Sequence, residues 1–155
     1  MKWVDEPLLE DLVRQAAQSP RRRQHLNLHS SFADPCQRLL NALWQNSYIA
    51  PHRHIADPKE ETLIVLRGEL GFMAFDDDGT ILGHRRLSAG SCNAAVVVVP
   101  GEWHTVVALS ETAILLEVKA GPFDPSAAKE AAPWAATEGR PEAAAYLEDL
   151  RATFL

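Results

Sequence analysis

The sequence is short of cysteine, of net positive charge and of long apolar runs. Only two cysteines occur among its 155 residues, Cys36 and Cys92, and they form no CxxC spacing. A disulfide framework is therefore not indicated, and neither cysteine is given a catalytic role. The formal net charge is -6, whereas binding nucleic acid by phosphate neutralisation needs the opposite sign. The one basic run, Arg21-Arg22-Arg23, is short and is read as a solvated turn. The longest strongly apolar run, residues 94–99, is far too short to span a bilayer. Acidic residues and a proline interrupt the start, Met1-Lys2-Trp3-Val4-Asp5-Glu6-Pro7, before a leader-like apolar stretch can form. Neither a membrane nor a nucleic acid is expected as partner, and a reducing cytoplasm is the expected compartment.

What is present suits one packed domain. Hydrophobic residues make up 46% and charged residues 23%, which allows a core and argues against wholesale disorder. Residues 8–18 place Leu8, Leu9, Leu12, Val13, Ala16 and Ala17 at helical spacing behind Pro7. His25-Leu26-Asn27-Leu28-His29 alternates and predicts a short strand. Asp34-Pro35 predicts a second helix to about Leu43, with Asp34 as N-cap and Pro35 at the first helical position. From there the text becomes short apolar runs divided by turns. Strands are predicted at 48–54, 61–67, 70–75, 81–87, 95–99, 104–109 and 113–119. Turn signals such as Gly68-Glu69, Asp76-Asp77-Asp78-Gly79 and Ala89-Gly90-Ser91 separate them. This succession points to an all-β sandwich or barrel. A proline-rich segment follows, and Pro141 opens a terminal helix through Ala144, Leu147, Leu150 and Phe154.

Histidine is scarce, six in all, and its placement is informative. His52 and His54 lie two apart in a predicted strand, so their imidazoles share one face. Zinc, iron, manganese and nickel all accept imidazole nitrogen. Glu60 and Glu61 open the next strand and face opposite ways. Glu61 is in phase with Leu63 and Val65, while Thr62, Ile64 and Leu66 line the other side. Both faces are apolar, so alternation alone does not choose between the two glutamates. The apolar Thr62-Ile64-Leu66 face leaves room for a second sheet or a subunit interface. His104 follows a Pro100-Gly101 turn and is in phase with Val106 and Ala108.

These residues resemble the two cupin motifs. The first runs glycine, five residues, HxH, three or four residues, glutamate, six residues, glycine. Asn46 stands at the first glycine, His52-Arg53-His54 match the HxH, and Gly68 follows Glu61 by seven positions, which selects Glu61 over Glu60. The gap from His54 to Glu61 is longer than the family's and implies an extended loop, 55–60. The second motif is resembled in shortened form by Pro100-Gly101-Glu102-Trp103-His104, with Ala108 where the family has asparagine. A wider resemblance is carried by His25-Leu26-Asn27-Leu28-His29, Asp34-Pro35-Cys36-Gln37-Arg38, Pro51-His52-Arg53-His54, Val65-Leu66-Arg67-Gly68, Phe75-Asp76-Asp77-Asp78-Gly79, Trp103-His104-Thr105 and Lys119-Ala120-Gly121-Pro122-Phe123. It is similar to the WbuC-type cupin-fold metalloproteins, which occur near bacterial O-antigen and other surface-polysaccharide gene clusters.

The resemblance implies a mainly β fold, a cupin double-stranded β-helix or jelly-roll barrel with helices at both ends. One domain would cover 1–155, with an extension over about 1–45, the barrel core over 46–119 and a C-terminal extension over 120–155. It implies one divalent transition metal ion, zinc, iron, manganese or nickel, held by His52, His54, Glu61 and His104. Two positions of a six-coordinate ion would then stay open for a small-molecule ligand or substrate. His25, Asn27 and His29 share a strand face and are candidates for pocket or supporting contacts, as are Tyr48 and Arg38. Trp103 is read as packing the barrel rim and His84 as exposed. Cupins are often dimers, so a homodimer is an open expectation. Two functions follow. One is a metal-dependent enzyme acting on a sugar or similar metabolite, an isomerase or an oxygenase. The other is a non-catalytic binding or sensing module with a metal-ordered pocket. An acid or base beside the open positions would favour the enzyme, and a wholly apolar pocket the module.

Overall fold

A computed structural model describes residues 1–127 and 129–155. A helix, α1 (Glu6–Gln18), precedes strands β1 (Arg23–Asn27), β2 (Cys36–Trp44), β3 (His52–Arg53), β4 (Glu61–Arg67), β5 (Glu69–Phe75), β6 (Ile81–Ser88), β7 (Ala95–Val98), β8 (Trp103–Ala108) and β9 (Thr112–Ala120). A short strand β10 (Glu130–Ala131) and helix α2 (Glu142–Ala152) complete the chain. The strands form two five-stranded sheets, ordered β1-β2-β9-β4-β7 and β10-β3-β8-β5-β6. From β2 onward the chain crosses repeatedly between the sheets, and its pairings are antiparallel. This is the double-stranded β-helix expected from the sequence.

Side-chain alternation divides the apolar residues among three clusters. Inward-facing Leu63, Val65 and Leu115 of the first sheet meet Leu70, Phe72 and Val106 of the second. Outward-facing Leu40, Ala42 and Ile114 pack with Leu12 and Ala16 of α1, joined by Leu66. Outward-facing Met73, Phe75 and Val107 pack under Ala143, Leu147 and Leu150 of α2. The order is thus helix, sheet, sheet, helix. Central strands such as β5 and β8 bury both faces and so read as nearly continuous apolar runs, while the edge strand β6 is largely exposed. Of the face at Thr62-Ile64-Leu66, Leu66 joins the α1 cluster, and the next residue, Arg67, pairs with Glu6 and Glu10. Asp5 caps α1 by accepting from the Leu8 amide at 3.3 Å.

One expected element is corrected. Residues 36–44 are strand β2, not the helix predicted from Asp34-Pro35 to about Leu43. Asp34 does accept from a backbone amide two residues on, that of Cys36 at 3.0 Å, but this makes a turn into a strand. Leu40 and Ala42 face α1 while Leu43 faces the barrel core. Two buried faces give an apolar run with no clear period of two, which is why it mimics a helix. Two strands are also shifted or shortened: β1 ends before His29, and only His52 and Arg53 of 48–54 join a sheet. No described helix is long and apolar enough to cross a membrane.

Candidate metal centre

The inward rows become polar toward one end of the barrel. His52 on β3 is the register partner of His104 on β8, so the pairing sets their imidazoles side by side. Their ring centroids are 4.5 Å apart. His54, just past β3, lies 5.3 Å from His52 and 5.9 Å from His104. One ring nitrogen from each falls within 4.8 Å of the others. His104 is buried, with Val106 and Ala108 behind it along the inward row of β8, as the alternation predicted.

Two of the rings have their protons placed by the backbone. His52 Nδ1 lies 3.0 Å from the Ala50 carbonyl, and His104 Nδ1 lies 2.9 Å from the Glu102 carbonyl. A carbonyl only accepts, so each Nδ1 donates, and in the neutral ring Nε2 carries the lone pair. Backbone partners of this kind orient metal-ligating histidines and fix their tautomer. Burial, aided by the nearby His104, pushes the His52 pKa well below the ordinary value, which keeps the ring neutral.

Glu61 closes the group. Its Oε1 lies 3.4 Å from His54 Nε2 and its Oε2 lies 3.6 Å from His104 Nε2. A neutral His104, with its hydrogen on Nδ1, turns a lone pair toward a carboxylate oxygen. Two acceptors then face each other, an arrangement that a cation between them would relieve. The donor set, imidazole nitrogens with one carboxylate, fits a divalent transition metal. Burial alone would raise the Glu61 pKa. Contacts with His104 and His54 and the charge of Lys119 outweigh it and hold the carboxyl ionised, well below the usual carboxylate range.

Sequence reasoning missed Lys119 and Glu117. Lys119 is the register partner of Glu61 across β4 and β9. Its Nζ sits 2.8 Å from Glu61 Oε1 and 2.8 Å from Glu117 Oε1. Burial works against the Lys119 charge, but Glu117 and Glu61 prevail and raise its pKa. Burial raises the Glu117 pKa, and the Glu61 charge adds to the effect. The signal was there in the alternation of β9: Leu115, Glu117 and Lys119 form one inward row, and a charge on such a row needs a reason.

A cavity of about 280 Å³ opens over the imidazoles. His52, His54, Glu61 and His104 line it together, with Glu117, Lys119, Arg21, Arg23 and Lys129 around them. Of the other candidates, His25 lines this cavity. Asn27 and Arg38 are exposed and stand outside its lining. His29 is buried, with Nδ1 3.0 Å from the Arg38 amide nitrogen, and braces a loop against β2. Tyr48 is buried, and its hydroxyl donates to the Ala136 carbonyl at 2.7 Å. Trp103, at the start of β8, is buried with the α2 cluster and donates to Asp77 Oδ1 at 2.9 Å. His84 is exposed, as expected.

The basic run is only in part a solvated turn: Arg21 is exposed, but Arg23 is not. Arg23 is 8% exposed, donates to the Tyr48 carbonyl at 2.7 Å and pairs with Glu138 at 2.6 Å. The counter-charge lies 115 residues away in sequence, so local reading of three arginines could not find it.

Three imidazoles and a carboxylate thus converge at the open end of a double-stranded β-helix. Residues 4–87 match the model of a family described as Domain of unknown function (DUF6016), and the chain belongs to that family. The matched segment includes His52, His54 and Glu61 but stops short of His104. Among solved structures, the chain is similar to an uncharacterized conserved protein with a double-stranded beta-helix domain from Klebsiella pneumoniae, at 18% identity and TM-score 0.59, over 85% of this chain and 98% of that one. It is also similar to TT1209 from Thermus thermophilus, at 21% identity and TM-score 0.57, over 78% and 98%. A third is a cupin 2 conserved barrel domain protein from Leptotrichia buccalis, at 18% identity and TM-score 0.50, over 66% and 42%. At these identities the likeness is one of fold. A comparison with curated proteins finds no match.

Proposed function

We propose that this protein is a metal-dependent cupin enzyme acting on a small metabolite at the open end of the barrel. His52, His54 and His104 hold one divalent transition metal ion through imidazole nitrogen, and Glu61 contributes a carboxylate. The observation that carries the reading is the convergence of donor atoms: His52 and His104 commit Nδ1 to backbone carbonyls, and His54 and His104 turn Nε2 toward Glu61. A bound metal would supply Lewis-acid polarisation of a carbonyl or hydroxyl oxygen.

The chain's own residues do the rest. The Ala50 and Glu102 carbonyls orient His52 and His104. Lys119 fixes the Glu61 carboxylate through Oε1 and helps keep it ionised. Glu117 stands in the same cavity with its proton affinity raised, which suits it to hold or accept a proton from a bound molecule. An acid–base group beside the imidazoles favours the enzyme over a binding or sensing module. An isomerase or an oxygenase fits these parts. The resemblance to WbuC-type proteins supports a sugar derivative linked to surface polysaccharide as substrate.

Candidate sugar nucleotides incubated with the metal-loaded chain should turn over, and turnover should stop after chelation. Binding without turnover across a broad metabolite panel would instead establish the module.

A further inference from the structure

The metal reading leaves the Arg21-Arg22-Arg23 run and Lys129 unused. Arg22 has a left-handed backbone, φ 55°, which non-glycine residues seldom adopt. Its side chain turns away, to Asn46 Oδ1 at 3.2 Å and across the Trp44 ring at 4.7 Å. Arg21 and Arg23 go the other way. With Lys129 they line the imidazole cavity and also an adjoining cavity of about 290 Å³, which includes Ala131, Ala132, Ala135 and Ala136. The three cations therefore stand at the junction of two spaces.

Their charges are not balanced there. Glu138 takes Arg23, and Glu61 and Glu117 share Lys119. Arg21 and Lys129 form no ion pair among the described residues. Burial lowers the Lys129 pKa; Glu138 opposes this, while the like charges of Arg23 and Arg21 add to it. Like charges gathered over a cavity attract an oxyanion, and guanidinium and ammonium groups are the donors that bind carboxylate and phosphate.

We propose that Arg21 and Lys129 form an oxyanion subsite between the two cavities, taking the carboxylate or phosphate of a small substrate whose other end reaches the three imidazoles. Arg23 is a positioning residue, locked by Tyr48 and Glu138 beneath it. The substrate class deepens the metal reading and rests on it for the imidazole end; the subsite's own charges stand without a metal.

Titration calorimetry on the full chain tests this, with inorganic phosphate and malonate as probes, on zinc-treated and on chelated protein. Arg21→Gln with Lys129→Gln serves as the variant. Neither side chain forms an ion pair among the described residues and neither is a proposed metal ligand, so melting temperature and zinc content should not move. At least one probe should bind the chelated wild type, more weakly as salt rises, and the double variant should lose at least tenfold. Phosphate alone binding indicates a phosphate ester, and malonate alone a carboxylic acid. The proposal is overturned if neither probe binds at tens of millimolar, or if the variant binds as the wild type does. Probe binding that depends on Arg21 and Lys129 in a chain that takes up no zinc sinks the metal reading and keeps the subsite. Zinc uptake with probe affinity indifferent to both residues does the reverse.

Discussion

Gly68 shows what a motif position means physically. Its φ is 71°, and a Cβ there would run into Ser110 Oγ and the Thr112 carbonyl. The spacing that pointed to Glu61 thus ends on a residue that only glycine fills without strain. Gly68→Ala should destabilise the fold by more than about 1 kcal/mol, measured as a lower denaturant midpoint at unchanged slope. A midpoint equal to that of the wild type would refute the clash. Glu138 is a second case. Replacing it by glutamine leaves the buried Arg23 guanidinium without its counter-charge, a loss of about 2 kcal/mol. Hydrogen bonding from Arg23 holds the Glu138 pKa below its usual value against the opposing effect of burial. The unfolded chain therefore takes up this proton first as pH falls. The pair's contribution is complete above about pH 4.5 and is lost below it. An acid titration of stability should be shallower for Glu138→Gln over that range, and parallel curves would contradict the assignment.

The three histidines that the structure gathers were legible from local signals, the HxH pair by alternation and His104 by the turn before it. Alternation left Glu60 and Glu61 open, and only the resemblance to the cupin motif, through its spacing to Gly68, selected Glu61. Arg23, Glu117 and Lys119 were not legible, because what gives them meaning is long-range. Lys119 matters through its register with Glu61, 58 residues away in sequence, and no local pattern reports strand register.

Elements tell the same story one level up. Strands with turns at both ends were found nearly to the residue. β2 was misread because its two faces both bury apolar side chains, one against α1 and one inside the barrel. Asp34-Pro35 then supplied a helix-start signal that turns also use. The two helices were read from spacing, but what they cover could not be. α2 is held by Ala143, Leu147 and Leu150 against the outer face of β5 and β8. Leu147 is 3% exposed, so Leu147→Ala should cost about 2–5 kcal/mol. The Gly71 position, against the Phe154 ring, ties the end of the chain to the same face. A thermal melt of Leu147→Ala that stays within error of the wild type would mean that α2 does not belong to the cooperative unit.

At the scale of the molecule, the barrel has two ends of different character. Leucine, valine and phenylalanine fill one, and the polar inward rows of β3, β4, β8 and β9 meet at the other. A helix backs each sheet, so the floor of the site is stiff on both sides while its mouth stays open. Such a frame can hold three imidazoles and a carboxylate at fixed separation, which loops alone would do less well. Protons compete with metal for the same nitrogens, so metal affinity should fall as the medium is acidified.

The most direct measurement is elemental analysis of the protein purified without chelators, beside His52→Ala combined with His54→Ala. About one transition-metal ion per wild-type chain is expected, and none in the double variant, with both proteins folded by circular dichroism. A wild-type chain that carries no metal under native loading, or a double variant that keeps its ion, would contradict the account.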